Sequence, residues 1–399
     1  MVVTDLHDSQ GCSGPIRSPH RVARNQKSSD GTTPNAMDKY LTEWLVHMGD
    51  RLEGTQRPTA KILQLLRESW IGGLLSLSLL MVSVAETLSP SEQPFIRRLS
   101  VRNAFPCCSS ISAFIILTKR KDTILAAVRH ARDAARVLCT PGETQTALTA
   151  NVRWSRFLLW RLFPLYGVAV YVMVQVAMFY DTSSVNAWLR KYSEVEAFGL
   201  LKTPFEVASL ACCMTSLYTV LFAELAIHNT TATLMEQLGR RLAYYRGCEN
   251  TSRSVRLHVS LLAACRHANA MFGLFLPLYL LGHFALSMLS TVVAVRSSAS
   301  GEVDLHALSC LPYLLVFFVP MCIAGQRVHD ASYGLKDKAY AGPWLEENVQ
   351  ARRSRLLVMA SCSRPANFTV PGVGTLDLPT CRKGFRLWFQ FVQVLINLQ

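Results

Sequence analysis

The chain has 399 residues, a formal net charge of +14, and 50% hydrophobic against 17% charged residues. A soluble protein of this length would spread its apolar residues over two or three domains. Here they gather into runs of about 20, the length that crosses roughly 30 Å of hydrocarbon, which excludes a soluble protein and indicates a polytopic membrane protein.

Residues 1–36 are rich in Ser, Gly, Pro, Asn and Arg without an apolar period, and are expected to form a disordered cytosolic tail. Residues 37–68 are read as cytosolic N-terminal helices. The first apolar run begins near Ile71, too late for a cleavable signal, so the first span is expected to act as its own signal anchor. Seven spans follow, at 69–88, 104–118, 156–180, 203–227, 271–296, 305–328 and 385–399. The second and seventh are short, and each is expected to extend by a turn or to sit in a thinned bilayer. Pro164, Pro277, Pro312 and Pro320 lie inside spans, where proline permits a kink but is also common.

Of the 41 Lys and Arg, 30 fall in the segments 1–68, 119–155, 228–270 and 329–384. Six fall in 89–103, 181–202 and 297–304, and five lie within spans. The positive-inside rule therefore places the N-terminus and the long connections in the cytosol and the C-terminus outside. The basic excess belongs to topology, and no nucleic-acid partner is implied. None of the 12 cysteines lies in an outer segment, so no extracellular disulfide is expected. The sequons at Asn229, Asn250 and Asn367 would face the cytosol and stay unused.

The cytosolic connections carry helical stripes: Ile124, Ala127, Val128, Ala131, Ala135 and Leu138 in one, and Leu234, Leu238, Leu242 and Tyr245 in another. Either the spans continue as packed helices into the cytosol, or these segments lie on the membrane surface. Residues 69–328 are accordingly read as six transmembrane helices with cytosolic extensions.

Enzyme constellations are missing. The sequence has no Lys-Ser/Thr phosphate loop, no His-Glu-x-x-His, no nucleophile elbow, and no paired metal-ligand spacing among its ten histidines, so neither cofactor nor metal is implied. Ionisable groups inside spans are the next place to look, because charge in hydrocarbon costs about 2.5–3.5 kcal/mol or more. They are Glu86, Arg161, Glu206, Glu224, His283 and His306. Glu206 either faces a solvent-filled vestibule or snorkels to the headgroups. Arg161 and Glu224 read as interface anchors or a mutual pair, and His283 as a neutral imidazole bonded to a neighbouring carbonyl. The outer halves of the second, third, fourth and sixth spans offer candidate ligand-pocket residues: Ser109 and Ser112; Tyr171, Met173, Gln175 and Phe179; Phe205, Glu206 and Ser209; and Tyr313. Aromatic walls with a few polar groups suit a small-molecule pocket, and they equally suit helix packing and interfacial aromatic belts.

The last seventy residues carry a motif. Ala339-Tyr340-x-x-x-Trp344 is followed by a basic helix with Arg352, Arg353 and Arg355. Then come Gly374-Thr375-Leu376-Asp377 and an amide-dotted final span ending on Gln399. This pattern resembles the C-terminal signature of the arthropod gustatory and odorant receptor superfamily, and the seven spans and inverted topology resemble it too. The resemblance implies an all-α, seven-transmembrane chemoreceptor, gustatory-receptor-like, working as a homo- or heterotetrameric cation channel opened by a small tastant or odorant. It also implies that 385–399 lines a central pore conducting monovalent and divalent cations. Residues 329–384 would form the cytosolic anchor where subunits meet, with Tyr340, Trp344, Thr375, Leu376 and Asp377 as signature positions.

Carried over by position, Gln399 matches the near-terminal pore glutamine. Ile396 matches an apolar gate that closes by dewetting, with Gln393 and Asn397 able to wet the path. The chain departs from the pattern where Val392-Gln393 stand in place of Thr-Tyr and where nothing follows the glutamine. If Gln399 is terminal, four free carboxylates would ring the outer mouth. A G-protein-coupled receptor would need an external N-terminus and an Asp/Glu-Arg-Tyr triplet where this chain has Asp181-Thr182-Ser183. A solute transporter would need an internal repeat, which the sequence lacks.

Overall fold

The computed structural model describes residues 36–47, 70–88, 94–138, 196–244, 248–273, 275–301, 307–308, 311–312 and 314–397. The tail expected before residue 36 and the span predicted at 156–180 lie outside them. Ten α-helices are described: α1 (Ala36–His47), α2 (Trp70–Leu88), α3 (Pro94–Lys119), α4 (Lys121–Leu138), α5 (Glu196–Tyr244), α6 (Cys248–Phe272), α7 (Phe275–Ala299), α8 (Val319–Tyr340), α9 (Val349–Ser361) and α10 (Leu378–Asn397). A π-helical turn, Leu314–Phe318, leads into α8, and a two-stranded hairpin, β1 (Thr369–Val370) and β2 (Gly374–Thr375), joins α9 to α10.

Helices outrun the predicted spans at both short segments. The second span is part of a 26-residue helix, α3, and the seventh starts at Leu378 rather than at residue 385. α5 is continuous for 49 residues, roughly 73 Å at 1.5 Å per residue, more than twice the hydrocarbon thickness. Among the described residues α7 alone is both long and apolar enough to meet a strict spanning criterion, while α2 and α3 hold the shorter apolar stretches Trp70–Met81 and Cys107–Lys119. Serines and thiols interrupt the other spans. Several of them, such as Ser76, Ser110 and Cys213, are buried within the protein rather than presented to lipid.

The stripes in the cytosolic connections find partners. All six apolar stripe residues of α4 are buried, and α4 packs on α6 and on α1, which inserts Met37, Tyr40, Leu41, Trp44 and Leu45. Asp38 of α1 receives the Nε of both Arg132 and Arg136 at 3.0 Å. Leu234, Leu238 and Leu242 are likewise buried where α5 runs along α8. These faces are therefore packed against protein, not laid on a membrane surface.

A recurrent device closes the helix ends in the connections read as cytosolic. The last carbonyls of a helix have no partner within it and attract cations. Arg241 Nη2 donates to Leu138 O at 3.1 Å at the end of α4, and Arg120 Nη1 donates to Ala270 O at 2.8 Å near the end of α6. Part of the basic character read as a topology signal thus serves as C-terminal capping.

The prolines read as possible hinges divide. Pro277 sits in the first turn of α7, where its missing N–H costs no helical bond. Pro320 opens α8 directly after the π-helical turn, so the irregular backbone lies there. Pro164 lies outside the described residues.

Candidate functional site

α10 touches its own protomer through α7 and α8, and its only fully buried side chain is Cys381. Successive residues of an α-helix turn by about 100°. Cys381, Gly384, Phe385 and Trp388 therefore share one face, and this face is the packed one. Trp388 Nε1 donates to Thr291 Oγ1 of α7 at 3.1 Å. Gly384 lets Phe284 and Phe318 close in, since a Cβ there would sit 3.1 Å from Phe318 and 3.3 Å from Phe284.

Of the predicted pore residues, Gln393 and Asn397 are exposed on the opposite face, Ile396 is exposed but falls beside Phe385 at the edge of the packed face, and Gln399 lies outside the described residues. Phe389, Val394 and Ile396 are also more than half exposed. An amphipathic helix that leaves its polar and apolar far side open in one protomer needs other copies or lipid to cover it.

The base of α10 is tightly specified. Asp377 caps it, accepting from Thr380 N at 2.8 Å and from Thr375 Oγ1 at 3.0 Å, while Thr380 Oγ1 donates to Thr375 O at 2.7 Å. Burial pushes the Asp377 carboxyl up. The hydrogen bonds from Thr380 and Thr375, helped by His329, outweigh that and hold it below its ordinary value. The hairpin before it turns through Gly372 and Gly374, whose φ of 81° and 103° favours glycine. Leu376 N donates to Phe368 O at 2.8 Å, and the Leu376 carbonyl lies against Gly325 of α8 so closely that any side chain there would strike backbone. Gln326 completes the seam by accepting from Leu378 N at 3.3 Å and donating to Asp330 at 2.8 Å. A small hollow lined by Gly325, His329, Asn367, Phe368, Thr375, Leu376 and Asp377 marks this junction. The Gly-Thr-Leu-Asp stretch is thus a hairpin strand, a buried apolar pin and a helix cap in succession.

The Tyr340-x-x-x-Trp344 stretch has an equally concrete role. Trp344 Nε1 donates to Tyr340 O at 2.6 Å at the end of α8, and its ring lies 5.8 Å from the Arg355 guanidinium carbon. Arg355, on α9, is fully buried. Its Nε donates to Glu347 Oε2 at 3.0 Å and its Nη2 to Glu347 Oε1, while Nη1 donates to Leu242 O at 2.6 Å and Ala339 O at 3.0 Å. One guanidinium therefore closes the C-termini of both α5 and α8 and pairs bidentately with a buried carboxylate. Gly342 leaves the room for it. Sequence reasoning placed Arg355 on a basic helix and passed over Glu347. The available signal was Glu347 beside the helix-capping Asn348, which accepts from Ala351 N at 2.8 Å. Tyr340 itself is 69% exposed.

Among the predicted pocket residues, Ser109 and Ser209 are buried, and Ser112 donates to Cys108 O at 3.0 Å within its own helix. Tyr171, Gln175, Phe179 and Tyr313 lie outside the described residues, as does the side chain of Glu206. His283 donates from Nδ1 to Tyr279 O at 2.8 Å, a bond to a carbonyl of its own helix, with its ring 4.0 Å from that of Tyr279. Glu224 is buried on α5, and Arg161, its suggested partner, is outside the described residues. No group of three or more His, Cys, Asp or Glu side chains able to hold a metal occurs among the described residues.

Comparison with known proteins gives two findings. The sequence profile described as 7tm odorant receptor matches residues 112–389. Among solved structures, the chain is similar to the insect olfactory receptor OR5 from Machilis hrabei in complex with eugenol, with a TM-score of 0.72 at 11% identity over 91% of this chain and 98% of that one. A second structure of OR5 from Machilis hrabei aligns with a TM-score of 0.67, also at 11% identity, over 90% and 97%. No curated protein matches the chain.

Proposed function

The chain belongs to the 7tm odorant receptor family, and on that premise we propose that it is a chemosensory receptor of the plasma membrane acting as a ligand-gated, non-selective cation channel. Four copies, of this chain or of this chain with related receptors, surround one axis lined by α10. The observation that carries this reading is the division of α10 itself. One face is fixed to α7 and α8, while Gln393 and Asn397 stand exposed on the other and Ile396 is exposed at its edge. A ring of Ile396 side chains would stop ions by dewetting, and a rotation of about 60–100° that exchanges it for Gln393 and Asn397 would wet the path.

The ligand is a small organic odorant or tastant. It enters among the outer halves of the helices, where Ser109, Ser112, Tyr171, Gln175, Phe179, Glu206, Ser209 and Tyr313 supply aromatic walls and a few polar anchors. The eugenol bound by the similar OR5 receptor makes small phenols a sensible first class to test. The knot around Arg355 serves as the cytosolic anchor beneath the pore.

Whole-cell current from surface-expressed receptor, challenged with phenols, other volatiles, sugars, bitter compounds, amines and acids, tests the proposal. Ligand-evoked cation current that is blocked by modification of cysteines placed at Gln393 or Asn397 supports it. Surface expression with no evoked current across the panel, or an N-terminal tag accessible from outside intact cells, would overturn it.

A further inference from the structure

Arg382, Lys383 and Arg386 are exposed on the first turns of α10, and none of them has an ion-pair partner among the described residues. At about 100° per residue they occupy an arc of roughly 100° on the side facing away from Cys381, Gly384, Phe385 and Trp388. Gln393 and Asn397 continue the same arc toward the far end. The positive-inside rule accounts for basic residues at the cytosolic end of a span but not for their azimuth. A snorkelling residue needs only to reach the headgroups; these three share the stripe that carries the exposed amides.

Their setting is electrostatically adverse. A helix N-terminus already carries partial positive charge, which favours anions. Asp377 answers part of it, yet no acidic residue follows anywhere in α10. Three cations thus stand against one carboxylate at the cytosolic foot of the helix.

We propose that Arg382, Lys383 and Arg386 determine the conduction properties of the pore by forming an electropositive inner mouth. The inference rests on the reading of α10 as the pore helix. In four copies the arc becomes a ring, and a ring of like charge within a Debye length of the axis depletes cations there roughly threefold or more. Outward cation current draws on the cytosolic mouth, whereas inward current draws on the outer mouth. The receptor therefore rectifies inward and attracts small anions to its cytosolic entrance. Arg382 and Arg386, in line with Gln393, contribute most, and Lys383 stands at the edge of the arc.

The test uses the full chain in excised patches with identical salt on both sides, comparing wild type with R382Q/R386Q and R382E/R386E. Charge removal should raise the ratio of outward to inward ligand-evoked current about twofold, and charge reversal should raise it further. Ligand-evoked currents with an unchanged ratio in both variants overturn the inference while leaving the pore reading intact. A second measurement needs no current. Gln390→Cys, one turn above Arg386, is exposed to thiosulfonate reagents from the cytosolic side in reconstituted protein. An anionic reagent should react faster than a cationic one of similar size, with the order inverted by R382E/R386E. Equal rates that ignore the charge of residues 382 and 386 remove the proposed ring even if current is absent.

Discussion

Arg355→Met is the sharpest perturbation the fold offers. The substitution keeps an unbranched chain of comparable length and deletes only the guanidinium. Glu347, whose side chain is 0% exposed, is then left as a buried carboxylate without its cation, and the Leu242 and Ala339 carbonyls lose their donor. Removing one partner of a buried pair costs about 3–5 kcal/mol, because the remaining charge keeps its desolvation penalty. An unanswered buried acceptor adds about 1–3 kcal/mol. Against a typical stability of roughly 5–15 kcal/mol, this is enough to prevent accumulation of assembled receptor.

Arg136→Met is the control. Its guanidinium meets Asp38 at the same 3.0 Å, but its side chain is 50% exposed, so solvent screening limits the loss to about 0–1 kcal/mol. Fluorescence-detected size exclusion after stepwise heating of detergent-solubilised receptor reads both variants. R355M should lose its assembled peak many degrees below wild type and R136M within a few. E347L/R355M, which removes both charges, should recover a large part of the loss. If R355M and R136M melt alike, the buried knot is not what holds α5, α8 and α9 together.

Other positions yield separate expectations. Asp377→Ala removes the cap of α10 and should cost about 1 kcal/mol, lowering the melting midpoint of purified receptor, with Asp377→Asn restoring most of it. Gly325→Ala forces a Cβ into the Leu376 carbonyl and should separate the hairpin from α8, seen as faster hydrogen exchange over residues 368–378, whereas Gly334→Ala, with open space around it, should leave exchange unchanged. His258, buried beside Ser361 and Cys362, has its pKa lowered by burial to about 4. Because the unfolded chain holds this proton below about pH 6.5 and the folded one only below about 4, stability should fall as pH drops through that window. The loss should be up to about 3 kcal/mol, and His258→Gln should flatten it in acid melting curves. Trp388→Phe keeps a ring and loses the bond to Thr291, worth about 1 kcal/mol, so the half-maximal ligand concentration should move by up to about fivefold in dose–response recordings.

The apolar helices α2, α3, α5 and α7 were legible because hydropathy is summed over many residues, and the α4 stripe was legible because every one of its apolar positions faces a partner. What periodicity missed is local and polar. Arg355 reads as one cation among Arg352, Arg353 and Arg355, and nothing in its spacing distinguishes the one aimed at two helix ends. The early start of α10 escaped because Leu378-Pro379-Thr380 reads as a loop by composition, while proline in a first turn is favourable once Asp377 caps it. The roles of Trp344 and Gly325 depend on residues well beyond a helical turn away, Trp344 on Arg355 eleven positions on and Gly325 on Leu376 fifty-one positions on.

If α10 lines a pore as proposed, the same geometry constrains how a ligand signal would reach it. Among the described residues the main helix contacts of α10 are with α7 and α8, so displacement of α5 by a ligand would reach it chiefly through them. α5 and α8 pack along each other and share the Arg355 guanidinium at their cytosolic ends, which fixes that end as the common pivot. Motion at the outer end of α8 is then expressed at the π-helical turn preceding it, where the helical bonding is already irregular and cheapest to remodel. From there it passes to α10 through the Gly325–Leu376 seam and the Gln326 bond to Leu378, at the foot of the helix. A pivot held at one end and an irregular turn at the other would convert tilt of α8 into rotation of α10, the motion the proposed gating requires.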